Sequence, residues 1–499
     1  MESKVSRRLK EPLAAEICEL IYAPRLARDF LTVFPHLTQV NKAHLLMLHK
    51  TGLMIPDIAV KLAKGLLQIE SEGPASVVLD PAKEDPYFNY EARLMAITSR
   101  DIGGRVHMAR SRNDISVTID RIRARDVVLK ILEAIGRVRK NMLERALGFA
   151  DTVMPGYTHL QPAQPMTFGF YMAGVAEHLG RDMDRLLNVL VRIDMCPLGA
   201  GAFAGTRFPI DRSITTKYLG FTTVQANTLD SVASRDFAWE AMSAMAMLAV
   251  TWGRVAQDLH VWSTPEFGLV SFPDRVASTS SIMPQKKNPA VLEYLKGKSA
   301  HVLGLLNTAL VTVKGTHYTH SGDSSRESMR NFWECSDEVL RSLSLFGLIM
   351  SSVEPRKQHM LEHVNRDFSA ATDLADGLVA DANMPFRDAH HIVGELVRLA
   401  IDAGKSANEL TSEMLDQAVI EVTGAPLGWP EDKLHKYLNP IDSVNARTSG
   451  GPAPVATQQA VQRQLQHIDH ALAVVASTRS RLEAANQEMD EQIKALASI

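Results

Sequence analysis

Apolar residues recur along most of this chain at intervals of three and four. Between residues 127 and 143 they fall at Val127, Val128, Ile131, Leu132, Ile135, Val138, Met142 and Leu143, a spacing that places them on one stripe of an α-helix. From Asp236 to Val261 the chain is apolar nearly all round, which predicts a helix at the centre of a bundle. After the breaker cluster Ser449-Gly450-Gly451-Pro452-Ala453-Pro454, the residues Val461, Leu465, Ile468, Leu472 and Val475 form a further helical face, so one long terminal helix is expected. No sustained alternation of β-branched with polar residues occurs, and no glycine fingerprint follows a strand-like run. A nucleotide-binding α/β fold is therefore disfavoured. The pattern predicts an all-α protein built on long packed helices.

At 499 residues the chain exceeds what one hydrophobic core usually serves, and two or three domains are expected. Interruptions near Gly103-Gly104 and near Pro355 mark the boundaries. The division read from them is 1–111 (mostly helical), 112–364 (a long-helix bundle) and 365–499 (helical).

Charge narrows the choice of partner. Lys and Arg number 54 against 57 Asp and Glu, for a net charge of −3, and neither sign forms a long block. Binding to nucleic acid or to a membrane surface is not expected. The most membrane-like window, residues 237–253, contains Glu240 and is flanked by Arg235 and Arg254, as suits a buried helix in a bundle. The cysteines, Cys18, Cys196 and Cys335, are scattered and odd in number, which indicates a reducing compartment, the cytoplasm, and no structural metal. The charged start lacks the apolar core of a signal peptide.

Against this apolar background three polar islands need an account, because unpartnered polar groups are costly to bury. The first is Ser111-Arg112-Asn113-Asp114. It reads as an ordinary helix cap, or as an anion clamp in which guanidinium, amide and backbone donors converge on a carboxylate. The second, Thr158-His159-Leu160-Gln161, sets further hydrogen-bonding groups beside an imidazole. The chain has 17 histidines, so His159 gains weight only from this company. The third, Ser280-Ser281-Ile282-Met283-Pro284-Gln285-Lys286-Lys287-Asn288-Pro289, reads as a solvated loop, or as a proton acceptor beside an oxyanion site.

Together and in this order, the islands resemble the aspartase and fumarase superfamily, and within it the argininosuccinate lyase branch. Pro209-Ile210-Asp211-Arg212 and Ala371-Thr372-Asp373-Leu374 also fit that branch. The resemblance spans nearly the whole chain. It implies three mainly helical domains, a homotetramer, and composite active sites assembled from three subunits. It further implies reversible β-elimination of fumarate from an N-substituted aspartate, without cofactor or metal. In that chemistry Ser280 would be the base at Cβ. Lys286 and Asn288 would neutralise the aci-carboxylate dianion, and Ser111, Arg112, Asn113, Thr158 and Ser281 would hold the carboxylates. Met283 would line the pocket, and His159 would bind substrate or help protonate the departing amine. A scaffold that keeps the fold without catalysis is the alternative from another class; the presence of Ser280, His159, Lys286 and Asn288 argues against it.

The chain departs from the branch pattern on the amine side. His320 stands where tyrosine is usual, Ser325 where glutamine is usual, and Arg326 where an acidic residue is usual. Ile115 replaces a glutamine and Ala290 an aspartate. An arginine in place of an acid disfavours a guanidinium substrate and favours an extra carboxylate. His320 and Arg326 are accordingly expected to bind the amine half; the resemblance to members of the superfamily with such an altered amine pocket implies ethylenediamine-N,N'-disuccinate as substrate, with argininosuccinate the alternative.

Overall fold

The structure, a computed structural model, describes Arg8 and residues 11–499. Five long helices make its centre: Arg112–Gly148, Phe168–Ile193, Asp236–Trp262, Ala290–Val313 and Met329–Ser352. Each packs against at least two of the others. Small residues allow the close approach: Ala238, Ala241, Ala246 and Ala249 are buried along the Asp236 helix. Trp252, wholly buried, donates its indole N–H to the Leu295 carbonyl at 3.1 Å, which fixes the Asp236 helix against the Ala290 helix. The predicted stripe is present, with Val128, Ile131, Leu132, Ile135, Val138, Met142 and Leu143 all buried on the Arg112 helix. The all-α expectation holds.

Ahead of the bundle lie the helices Ala23–Lys50, Pro56–Glu72 and Pro86–Ile97. Proline sits in the first turn of the second and third, where its missing N–H costs nothing, while the first runs on from a π-helical turn, Cys18–Tyr22. A separate apolar cluster unites Leu374, Leu378, Ile392, Leu396, Leu415 and Leu434, from helices between residues 371 and 438. The terminal helix, Pro454–Ala497, spans roughly 66 Å at 1.5 Å per residue. Its Val461, Ile468 and Val475 join the central cluster, and its Met489, Ile493 and Leu496 join the N-terminal one. Residues 454–497 therefore share their core with the first two segments of the chain and not with residues 371–438. Lys42 fastens the junction, reaching Glu70 at 2.5 Å and Asp490 at 2.8 Å.

Strands are short and few among the described residues. One antiparallel hairpin, Val153–Thr158 with Gln161–Thr167, projects from the bundle. It was not legible as a strand pair, because its second arm reads Gln-Pro-Ala-Gln-Pro and lacks β-formers. Among the described residues, no helix is long and apolar enough to cross a membrane.

Candidate active site

Ser111 is the N-cap of the Arg112 helix. Its Oγ accepts the Asn113 N–H at 3.3 Å, and its own N–H reaches Asp114 Oδ1 at 2.9 Å, which closes a capping box. Both readings of this island are compatible, because a hydroxyl that accepts a backbone N–H can still donate to a ligand. Asp114 is wholly buried, and its Oδ2 takes the N–H groups of Gly199 at 3.0 Å and Gly201 at 2.9 Å. It ties the helix start to the 199–201 turn, where both glycines have positive φ. Asn113 Nδ2 donates to the Ala202 carbonyl at 3.1 Å. Arg112 Nη1 donates to Glu84 at 2.8 Å and Asp85 at 2.9 Å, while its guanidinium lies over the Phe88 ring.

The amine-side residues converge on the same place. A cavity of about 300 Å³ is lined by Arg112 and Asn113 together with His320, Ser325 and Arg326, and also by Arg25 and Asp85. Arg326 arrives there on a π-helical turn, Asp323–Ser328, that runs into the Met329 helix; such turns often accompany functional sites. Three guanidinium groups thus face one carboxylate. The field shows in the titration of His320, whose pKa is lowered to about 4 by burial first and then by Arg235, Arg326, Arg112 and Arg25. Its ring is neutral at pH 7, and Nδ1 is buried without a partner among the described residues. Burial, and after it the Arg326 guanidinium, also lower the Arg25 pKa. Sequence reasoning missed Arg25 and Asp85, which lie far from the islands along the chain. The only local sign was the Asp85-Pro86 pair, which starts a helix with the Asp85 carboxylate accepting the Phe88 N–H at 3.0 Å.

The remaining candidates sit on two exposed loops. Thr158 and His159 are at the hairpin tip, where His159 has φ 54° and Leu160 φ 59°. Two consecutive positive φ angles define a type I′ turn, which normally takes Asn-Gly. Holding His and Leu there is strained, and such strain clusters at functional sites. Ser280 to Lys286 form the loop of a small hairpin closed by Ser278–Thr279 pairing with Lys287–Asn288. Within it Ser280 Oγ accepts the Met283 N–H at 3.1 Å and the Ile282 N–H at 3.4 Å. Donors aimed at that oxygen favour its alkoxide, as a serine acting as base requires. Lys287 is anchored to the Phe272 carbonyl at 2.6 Å and Asp274 at 2.7 Å. Lys286 is exposed with no ion-pair partner among the described residues, and Ser281 and Met283 are exposed beside it. Asn288 is half-buried at the loop's end. Within one chain, no hydrogen bond or ion pair among the described residues links Thr158 or His159, the Ser280 loop and the Arg112 cavity. The structure brings Arg112, Asn113, His320 and Arg326 together and leaves the other two groups apart.

A helical bundle that carries a cationic cavity, with two exposed polar loops apart from it, defines the class, and comparison with known proteins gives the family. Residues 33–304 match a family model described as Lyase, and residues 368–445 match one described as Argininosuccinate lyase C-terminal. Argininosuccinate lyase 1 of Shouchella clausii is 37% identical over 492 residues, covering 98% of each chain. A crystal structure of EDDS lyase with formate superposes with a TM-score of 0.87 at 29% identity, covering 98% of this chain and 97% of that one. A variant of EDDS lyase with bound fumarate gives 0.86 at 29%, covering 100% and 99%. The chain belongs to the argininosuccinate lyase branch of the aspartase/fumarase superfamily. It is a carbon–nitrogen lyase.

Proposed function

We propose that this lyase eliminates fumarate reversibly from an N-substituted aspartate whose amine half carries further carboxylate, with ethylenediamine-N,N'-disuccinate the leading candidate. The observation that carries the reading is the cavity shared by Arg25, Arg112, Arg326 and neutral His320. A cationic arginine side chain entering it would meet Arg326, which has no ion-pair partner among the described residues, beside Arg25 and the already paired Arg112. A carboxylate would gain charge-assisted hydrogen bonds, and Nδ1 of His320 would gain the partner it lacks.

In the forward direction Ser280 removes the Cβ proton, helped by the two N–H groups that favour its alkoxide. Lys286 and Asn288 stabilise the aci-carboxylate dianion. Ser111, Arg112, Asn113, Thr158 and Ser281 hold the succinyl carboxylates, Met283 covers them, and His159 attends the nitrogen as the C–N bond breaks. Exposed polar loops and a separate cavity support a homotetramer in which each site draws on several subunits. Exposed apolar residues on three bundle helices, Met247, Val250, Leu303, Leu310, Val311 and Leu348, support the same assembly. No cofactor enters the reading, and a cytoplasmic setting goes with it.

Argininosuccinate is the second reading, favoured by the 37% identity to a protein of that name. Incubation with fumarate and either ethylenediamine or arginine, followed by proton NMR, separates the two. Mono- and disuccinylated ethylenediamine are expected. Addition to arginine alone would overturn the assignment.

A further inference from the structure

Beyond the cavity the recess continues. A second chamber, of about 90 Å³, shares Arg25, Asp85, Arg112, Ser116, Ser325 and Arg326 with the first. Three helices each give its wall one apolar pair spaced i, i+4: Val33 and Leu37, Ile115 and Ile119, Met329 and Trp333; charged side chains, Arg28, Asp29, Asp120, Arg123 and Arg330, complete the lining. That spacing puts both members of a pair on one face. Leu37, Ile115, Ile119 and Met329 are almost wholly buried. Trp333 is held by the Arg123 guanidinium, 3.9 Å over its ring. Ile115 and Ser325, two of the positions at which this chain departs from the branch pattern, are among its lining residues.

Its size selects what can enter. A dry cavity of roughly 150 Å³ is what accommodates benzene, so about 90 Å³ is on the scale of a branched alkyl group and too small for a phenyl ring. At its mouth stand Arg326 and Arg25, the latter 4.0 Å from Asp29 and with Asp85 also in the lining. Among the described residues no carboxylate forms an ion pair with Arg326, and Arg25 keeps a buried Nη1 without a partner.

We infer that the enzyme also accepts, as the amine half of its substrate, an α-amino acid with a short branched aliphatic side chain. The α-carboxylate meets Arg326 and Arg25, and the alkyl group fills the chamber between Ile119 and Met329. The substrate is then the N-(1,2-dicarboxyethyl) derivative of a leucine- or valine-like amino acid. This rests on the lyase reading above. In elimination the Cβ proton passes to Ser280, the C–H pair becomes the C=C bond of fumarate, and the C–N pair leaves on nitrogen, which takes up a proton. In the reverse sense the amine adds to fumarate, and no oxidant or reductant is needed.

The test incubates the full-length protein with fumarate and, separately, L-leucine, L-valine, glycine, L-phenylalanine or ethylenediamine, with initial rates followed by proton NMR. Each methylene that fits an apolar pocket is worth at least about tenfold in rate. Leucine and valine should therefore exceed glycine by at least about tenfold, and phenylalanine should fall below leucine. In Ile119→Trp, which fills the chamber, the leucine-to-glycine ratio should collapse towards about one. Leucine no faster than glycine overturns the inference, as does phenylalanine matching leucine or a ratio unchanged in Ile119→Trp. If Ile119→Trp does not fold, the wild-type amine series alone decides. Reaction with ethylenediamine but not leucine removes the inference and leaves the lyase reading. Reaction with no amine removes both.

Discussion

Replacing Asp114 tests whether the carboxylate-binding corner is built as described. Its two oxygens accept three backbone N–H groups, from Ser111 at 2.9 Å, Gly199 at 3.0 Å and Gly201 at 2.9 Å, and the side chain has no solvent exposure. Asp114→Ala leaves those donors unpaired. Each buried donor stranded in this way costs about 1–3 kcal/mol, and water entering the vacated space recovers part of it, so a loss of about 3–6 kcal/mol is expected. The turn has little freedom to find other partners. A Cβ on Gly199 would lie 2.9 Å from Arg212 Cγ, and one on Gly201 would lie 2.6 Å from the Gly205 carbonyl oxygen. Asp114→Asn keeps one acceptor but turns an amide NH2 towards a donor, and should cost about 1–3 kcal/mol. Urea denaturation followed by circular dichroism, at one fixed protein concentration because self-association would shift the midpoint, measures both variants. A change below about 1 kcal/mol for Asp114→Ala would refute the reasoning, since the three N–H groups would then have other partners. Fumarate addition at a matched folded fraction should fall in both variants, because Ser111 and Asn113 lose their register.

Three further outcomes follow from the site. Ser280→Ala should lower turnover by about 10²–10⁴-fold with an unchanged circular dichroism spectrum, and a loss under about tenfold would remove Ser280 as the base. Arg326→Gln should raise KM about tenfold for ethylenediamine-N,N'-disuccinate, the scale of one charge-assisted hydrogen bond; an unchanged KM would show that Arg326 does not meet substrate. His320, with its pKa lowered from 6.5 to about 4, contributes stability that is present above pH 6.5 and is lost as pH falls through 4, because the unfolded chain takes up the proton first. Between pH 7.5 and 5 wild type should lose about 1–2 kcal/mol more than His320→Gln, after allowance for partial exposure; a His320 pKa above 6 by NMR titration would contradict this.

The helical bundle was legible because burial on one face leaves a periodic mark in sequence, as Val128 to Leu143 show. The Ser280 loop was legible as a motif, since its two serines, Lys286 and Asn288 fall within one short run that resembles the family's. The hairpin was not, because Pro162 and Pro165 mask it and its strained tip uses His159 and Leu160 in place of Asn-Gly. Nor was the route of the terminal helix, whose apolar face announces that it packs but not against what. Arg25 and Asp85 reach the cavity through tertiary packing alone. No spacing relates them to Arg326, about 300 residues on from Arg25 and about 240 on from Asp85.

On the proposed reading the amine side can change while the reacting side stays, because the two stand on different elements. His320, Ser325 and Arg326 belong to one short segment that feeds a bundle helix, and they face the Arg112 helix and the Ala23 helix across a cavity with rigid walls. Ser280, Lys286 and Asn288 are on a different loop, and Thr158 and His159 on a third element. None of these residues contributes a wall to the amine cavity. On that reading, an acid-to-arginine change at position 326 alters the charge that meets the leaving amine without moving Ser280 or the N–H groups that its Oγ accepts. With the roles proposed above, selectivity for the amine rests on the helix faces that line the cavity and C–N bond breaking on the loops that carry Ser280 and His159.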